Sequence, residues 1–229
     1  TQTCNDFGIK LHNDYEYNTA LKYFKMVINL APSEYFGYFN MGNTYFELKD
    51  FKNAKTYYKM ALKFEPKHEH IQDNLGEVYR LRGEMRAAER MYKSVVRMAT
   101  ERQWPISAAV AHLNLCLVSL GRENQAFTQI AIDQAESCLQ DHPQHWAWLF
   151  VGTMRAMWAA ENGDEPTCRA WWSVANERGL GRMLSRDLLT PLERLASACE
   201  RNGWSKIALR ALQYHEAIIS IEASPQNMD

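Results

Sequence analysis

The chain has 229 residues, with 26 Lys+Arg against 27 Asp+Glu, 46% apolar and 23% charged residues. This balance excludes wholesale disorder. A net charge of −1 argues against a polyanionic partner, because phosphate neutralisation supplies most of a nucleic-acid binder's affinity.

No apolar run approaches the roughly 18 residues that a membrane-spanning helix needs. The opening TQTCNDFGIK lacks both an initiator Met and the layout of a secretory signal, so an excised domain or a processed product is expected. In chain order, the first hundred residues repeat themselves at an offset of 34. Gly8, Gly42 and Gly76 align, as do Phe7, Met41 and Leu75, and Leu11, Tyr45 and Tyr79. Further on, Tyr17, Phe51 and Met85 align, followed by Ala20, Ala54 and Ala88. Phe24, Tyr58 and Tyr92 come next, then Val27, Ala61 and Val95, and Pro32 and Pro66 close the first two units.

Residues 35–68 define one unit. Tyr38, Met41, Gly42 and Tyr45 are spaced i, i+3, i+4, i+7, on one face of a first helix. Gly42 costs about 1 kcal/mol against Ala in a helix interior, so a close helix neighbour is expected there. Asp50 marks a turn. Phe51, Ala54, Tyr58, Ala61 and Leu62 form the stripe of a second helix, which Pro66 ends. The unit is an antiparallel helix pair.

Beyond residue 100 the pattern loosens, and ATERQWPI adds about four residues to it. Leu113, Leu117, Gly121, Ala126 and Ile130 fit a fourth unit, with Asn114 in place of the small residue. Its second helix reaches about Gln140. A fifth unit spans about 145–180, with Trp148, Val151, Gly152, Cys168, Trp172 and Ala175 on its core face. Arg155 falls where an apolar residue belongs, and Asn162-Gly163 end its first helix. Trp171 and Trp172 are adjacent, so one of them faces partly outward. A sixth unit opens with Thr190-Pro191-Leu192-Glu193, which reads as a capping box with Pro at the first helical position. Leu195, Ala196, Cys199, Gly203, Ala208 and Leu212 continue it to a helix ending near Ile221, followed by a frayed SPQNMD.

With an aromatic, then Met41-Gly42, Tyr45, Ala54, Tyr58, Ala61 and Pro66 at fixed spacing, the chain resembles the tetratricopeptide repeat family. The resemblance implies an all-α, right-handed superhelical solenoid of about six antiparallel helix pairs. Residues 1–100 form three regular repeats, and residues 101–229 form about three degenerate ones in the same solenoid. It also implies a protein–protein interaction scaffold or adaptor that holds a peptide or helix of a partner in a concave groove, and not an enzyme. The alternatives are a regulatory or substrate-recruiting part of a larger enzyme, and a self-assembling protein whose end repeat leaves Phe7 and Phe24 uncovered. RNA binding is disfavoured by the charge balance.

The groove positions are those that periodicity leaves off the core. They are Phe36, Phe39, Asn40, Asn43 and Phe46 in the second unit, and Asp73, Asn74, Glu77 and Arg80 in the third. The first unit offers Asn5, Ile9 and His12, and the fourth offers Ala111, His112, Leu115 and Val118. Phe39 and Phe46 are expected as exposed rings on one stripe. Asn40, Asn43 and Asn74 are expected to read a partner's backbone. Some members of the family clamp a chaperone's C-terminal carboxylates. Here only Asn40 matches that set, while Asn5, Ile9, His70 and Asn74 stand at its other positions, so no such binding is expected.

No catalytic motif is present, and no metal or cofactor is expected. His68 and His70, two apart, point in different directions and read as solvated linker residues, as do His142 and His145. The five cysteines (Cys4, Cys116, Cys138, Cys168, Cys199) form no CxxC pair and no disulfide framework. Cys116 and Cys199 read as core residues. A cytoplasmic location is expected, with the periplasm as the alternative.

Overall fold

The computed structural model describes residues 1–122, 124–143, 145–179 and 188–222. Among the described residues run twelve α-helices and no strand, and the chain divides into two compact units, Thr1–Trp104 and Pro105–Asp229.

The first unit is three helix pairs: α1 (Gln2–Asn13) with α2 (Tyr17–Leu30), α3 (Tyr35–Glu47) with α4 (Phe51–Phe64), and α5 (Glu69–Leu81) with α6 (Met85–Glu101). The repeated glycine is a space requirement. A Cβ at Gly8, Gly42 or Gly76 would lie 2.7, 2.5 or 2.7 Å from the ring of Phe24, Tyr58 or Tyr92 respectively. Those three rings are buried, as are Ala20, Ala54 and Ala88 one turn earlier. A small residue on each helix thus lets an aromatic of the second helix lie across the first.

Successive pairs are tied at equivalent positions. Tyr38 Oη donates to the Pro32 carbonyl at 2.9 Å, and Gln72 Nε2 donates to that of Pro66 at 2.7 Å. The turn inside each pair also repeats: Tyr15, Lys49 and Gly83, spaced by 34, all have left-handed backbone, with φ of 63°, 58° and 74°. Asp50, expected as a turn residue, caps α4 by accepting from the Asn53 backbone N–H at 3.1 Å.

Two expectations for this unit are corrected. Phe24 is only 1% exposed, so the first repeat does not leave it uncovered, whereas Phe7 is 45% exposed with its edge on Tyr23. His68 is no solvated linker. Its ring packs 4.9 Å from Tyr35 and 5.8 Å from Phe39, and burial pushes its pKa down.

The second unit contains α7 (Pro105–Leu120) with α8 (Gln125–Leu139), α9 (Ala147–Glu161) with α10 (Glu165–Gly179), and α11 (Leu189–Arg201) with α12 (Ser205–Glu222). Helix α9 is apolar around most of its circumference, and correspondingly 12 of its 15 residues are buried, Trp148, Val151 and Gly152 among them. Cys168, Trp172 and Ala175 face it from α10. The predicted stop at Asn162-Gly163 holds, with Gly163 at φ 74°. Arg155 sits at an apolar position because it is half-buried among partners: it donates to Asp133 and Glu136 and lies over the Trp171 ring. Trp172 is buried and Trp171 is half-buried.

The fourth repeat is shifted by two residues from its predicted register. Ala126 and Ile130 are exposed, while Thr128, Ile132 and Ala135 are buried. Buried Cys116, not Asn114, stands at the small-residue position. As a result Ala111, Leu115 and Val118, predicted for the groove, are core residues. The capping box at Thr190 does not form. Helix α11 starts two residues earlier with Leu188 as its cap, makes no side-chain cap bond, and carries Pro191 third in its first turn, where a missing N–H costs little. Ala211 rather than half-buried Leu212 packs in the core. The predicted SPQNMD tail lies outside the described residues.

Candidate functional site

The first helices of the first unit line a cleft of about 310 Å³, formed by His12 of α1, Asn43, Phe46 and Glu47 of α3, Tyr58 of α4, and Asn74 and Glu77 of α5. Each enters from a helix-borne position, so backbone order is already in place. His12 and Phe46 are 34 apart, as are Asn43 and Glu77, so repetition itself sets them on neighbouring helices.

The floor is a hydrogen-bonded knot. Tyr58 Oη donates to Asn43 Oδ1 at 2.8 Å, and Asn74 Nδ2 donates to the same oxygen at 3.0 Å. Burial pushes the Tyr58 hydroxyl far above its ordinary pKa, so it stays a donor. This arrangement fixes both amides and leaves Asn43 Nδ2 as a donor and Asn74 Oδ1 as an acceptor. On one side, Glu77 receives two bonds from Arg80, at 2.7 and 2.5 Å, and one from Tyr92 Oη at 3.1 Å. On the other, His12 Nδ1 lies 3.0 Å from Thr44 Oγ1, which spends its own proton on the Asn40 carbonyl at 2.8 Å. His12 must therefore donate through Nδ1, leaving Nε2 a bare acceptor. Burial lowers the pKa of His12, against a smaller opposing pull from Glu47.

Of the predicted site residues, the structure brings together Asn43, Phe46, Asn74 and Glu77. Arg80 is beside them, neutralised by Glu77. Asn40 instead donates to Asn5 Oδ1 at 2.8 Å, so its amide hydrogens serve the link between α1 and α3. The two exposed phenylalanines are corrected to half-buried ones: Phe39 lies over Tyr58 and His68, and Phe46 meets Phe51 edge-on at 5.7 Å. Half-buried Phe36 lies against Tyr35. His112 belongs to the second unit, where it is half-buried with a pKa lowered by burial.

A tetratricopeptide repeat model matches residues 35–68, and a second one matches residues 70–102. Residues 35–68 and 70–102 are tetratricopeptide repeats. No curated protein sequence matches it. Among solved structures, this repeat protein is similar to PilF of Pseudomonas aeruginosa, with a TM-score of 0.70, 14% identity and coverage of 99% of this chain and 94% of that one. It is similar to PilW, a widely conserved type IV pilus biogenesis factor, with a TM-score of 0.69 at 13% identity over 99% and 96% of the two chains. YrrB, a repeat protein with an unusual peptide-binding site, matches with a TM-score of 0.54 at 14% identity over 85% and 91%. At these identities the likeness is one of fold.

Sequence reading of the repeats missed two residues of the cleft. Tyr58 lies on the core stripe of its helix, and Glu47 closes α3 at a position where neighbouring repeats carry Asn13 and Leu81. A second cleft, of about 480 Å³, went unnoticed in the second unit, between Leu120, Asn124, Gln125, Thr128, Trp158 and Arg194. Arg194 there is held by Glu161 through two bonds of 2.9 Å. Among the described residues no three His, Cys, Asp or Glu side chains are placed to hold a metal ion, and no helix is long and apolar enough to cross a membrane.

Proposed function

We propose that this repeat protein is a non-catalytic interaction module whose first unit holds an extended segment of a partner polypeptide against α1, α3 and α5. The observation that carries the reading is the pairing of Asn43 Nδ2 with Asn74 Oδ1. A fixed donor and a fixed acceptor stand on adjacent helices, as the C=O and N–H of a peptide backbone require. Because the Tyr58 knot already holds both amides, binding costs little side-chain entropy on this side. Phe46 supplies apolar area beside them. The peptide-binding site named for YrrB, a fold neighbour, is consistent with this use of the fold. A cytoplasmic location belongs to the same proposal and rests on the odd number and wide spacing of the five cysteines.

Selection of dodecapeptides from a random displayed library on the full chain tests the reading. Selected peptides should lose about fivefold in affinity with Asn74→Ala and again with Asn43→Ala, roughly 1 kcal/mol for each lost hydrogen bond. Peptides that bind both variants as tightly as the parent protein would refute it.

A further inference from the structure

Charge in the first unit is segregated by layer. Helices α1, α3 and α5 together carry two basic and five acidic residues, whereas α2, α4 and α6 carry ten basic and two acidic ones. The layer that lines the cleft is therefore at −3, and the layer behind it at +8. In the second layer the bases recur at helical spacing: Lys52, Lys59 and Lys63 on α4, and Arg86, Arg90 and Arg97 on α6, all exposed. The unit as a whole, Thr1–Trp104, is positive by three charges, so the sign of the cleft layer opposes that of its surroundings.

Within the cleft the imbalance is sharper. Glu77 is neutralised by Arg80, but Glu47 is exposed and, among the described residues, makes no hydrogen bond or ion pair. The open valences are mostly acceptors: both Glu47 oxygens, Asn74 Oδ1 and His12 Nε2, against the single donor group Asn43 Nδ2. The rings of Phe46 and Tyr58 border the same space. A carboxylate, neutral acceptors and aromatic faces around a cleft of about 310 Å³ suit a cation that brings several N–H donors. They do not suit an anion.

We infer that this cleft is the pocket for a basic side chain, Arg or Lys, carried by the partner segment, with Glu47 as its counter-charge. The inference rests on the proposed function, since it takes the partner to be a polypeptide lying along α1, α3 and α5. Arg fits best: its planar fork can reach the carboxylate and a neutral acceptor together, and its face can lie on an aromatic ring. The basic layer behind repels the same segment, which directs it to one side of the unit.

The probe is the set of library-selected dodecapeptides, each resynthesised with its basic residue replaced by citrulline, which keeps the shape of arginine without its charge. Arg or Lys should recur at one fixed position, citrulline should weaken binding about tenfold, and Glu47→Gln should weaken the parent peptide about three- to tenfold. On Glu47→Gln the citrulline penalty should shrink to under threefold, because the charge it removes no longer has its partner. Peptides that need Asn43 and Asn74 but show no basic residue, or whose citrulline penalty is the same on both proteins, would overturn the inference and leave the proposed function standing. Peptides indifferent to Asn43, Asn74 and Glu47 would overturn both. Among the described residues Glu47 makes no hydrogen bond or ion pair and acts on His12 only through its charge, so the variant should melt close to the parent protein.

Discussion

Gly152→Ala probes the crossing of α9 and α10, where an added Cβ would meet backbone. A Cβ at residue 152 would lie 2.8 Å from both the Cβ and the backbone N of Ala175, and 2.9 Å from its Cα. Ordinary carbon–carbon contact begins near 3.5–4.0 Å, so α9 and α10 would have to separate by about 1 Å. A gap of that size forfeits about a quarter to a half of each dispersion contact along the crossing. Overpacking of this kind costs about 1–3 kcal/mol or more, and here the obstacle is backbone, which has no rotamer to yield. Alanine's better helix propensity returns about 1 kcal/mol. The net expectation is a loss of about 2 kcal/mol, which lowers the melting temperature of a unit this size by roughly 5–10 °C. Differential scanning calorimetry on the full chain reads it. Ala175→Gly added to Gly152→Ala should restore little, because the backbone atoms of residue 175 remain in the way. An unchanged or raised melting temperature, or full rescue by Ala175→Gly, would refute the reasoning.

Other expectations follow from the repeat geometry and the buried groups. Lys49→Gly, at a left-handed turn position that the third repeat fills with Gly83, should raise stability by about 0.5–1 kcal/mol, measured by urea denaturation; a loss would show that Lys49 does more than occupy the turn. Tyr58→Phe removes the bond that holds Asn43 and should cost about 1 kcal/mol in stability while also weakening the selected peptides. Burial holds His12, His68, His112 and His145 below the ordinary 6.5 in the folded protein. The unfolded chain therefore binds protons first as pH falls, and stability should decline from about pH 6.5 down to the depressed folded values, then level off with respect to these groups. Denaturation curves between pH 7.5 and 5 check this, and stability rising as pH falls over that range would contradict it.

The regular half of the fold was legible because its signals are local demands for space. Gly42 is small because Tyr58 lies across it, and the same pair recurs as Gly8 with Phe24 and Gly76 with Tyr92. In the fourth repeat the demand is met by other chemistry: Cys116 replaces the glycine, and Ser119 and Thr128 close a buried pair at 2.7 Å. With neither glycine nor aromatic to mark the crossing, spacing alone misplaced the register by two residues. The site was legible as a set of helix positions and not as a set of free valences. Asn40 and Asn43 look alike in sequence, yet Asn40 gives its amide to Asn5 while Asn43 keeps its own. That difference depends on which residue 31 or 35 positions away stands opposite, which helical periodicity does not specify. The layered charge was present in the sequence throughout, but the net charge of −1 averages it away.

The most direct measurement is an amide chemical-shift map of the isotopically labelled full chain titrated with one library-selected dodecapeptide. The account predicts that the perturbed amides fall on α1, α3 and α5, centred on Asn43, Glu47 and Asn74, with α2, α4 and α6 little changed. Perturbations confined to the basic second layer, or to the second unit, would contradict it.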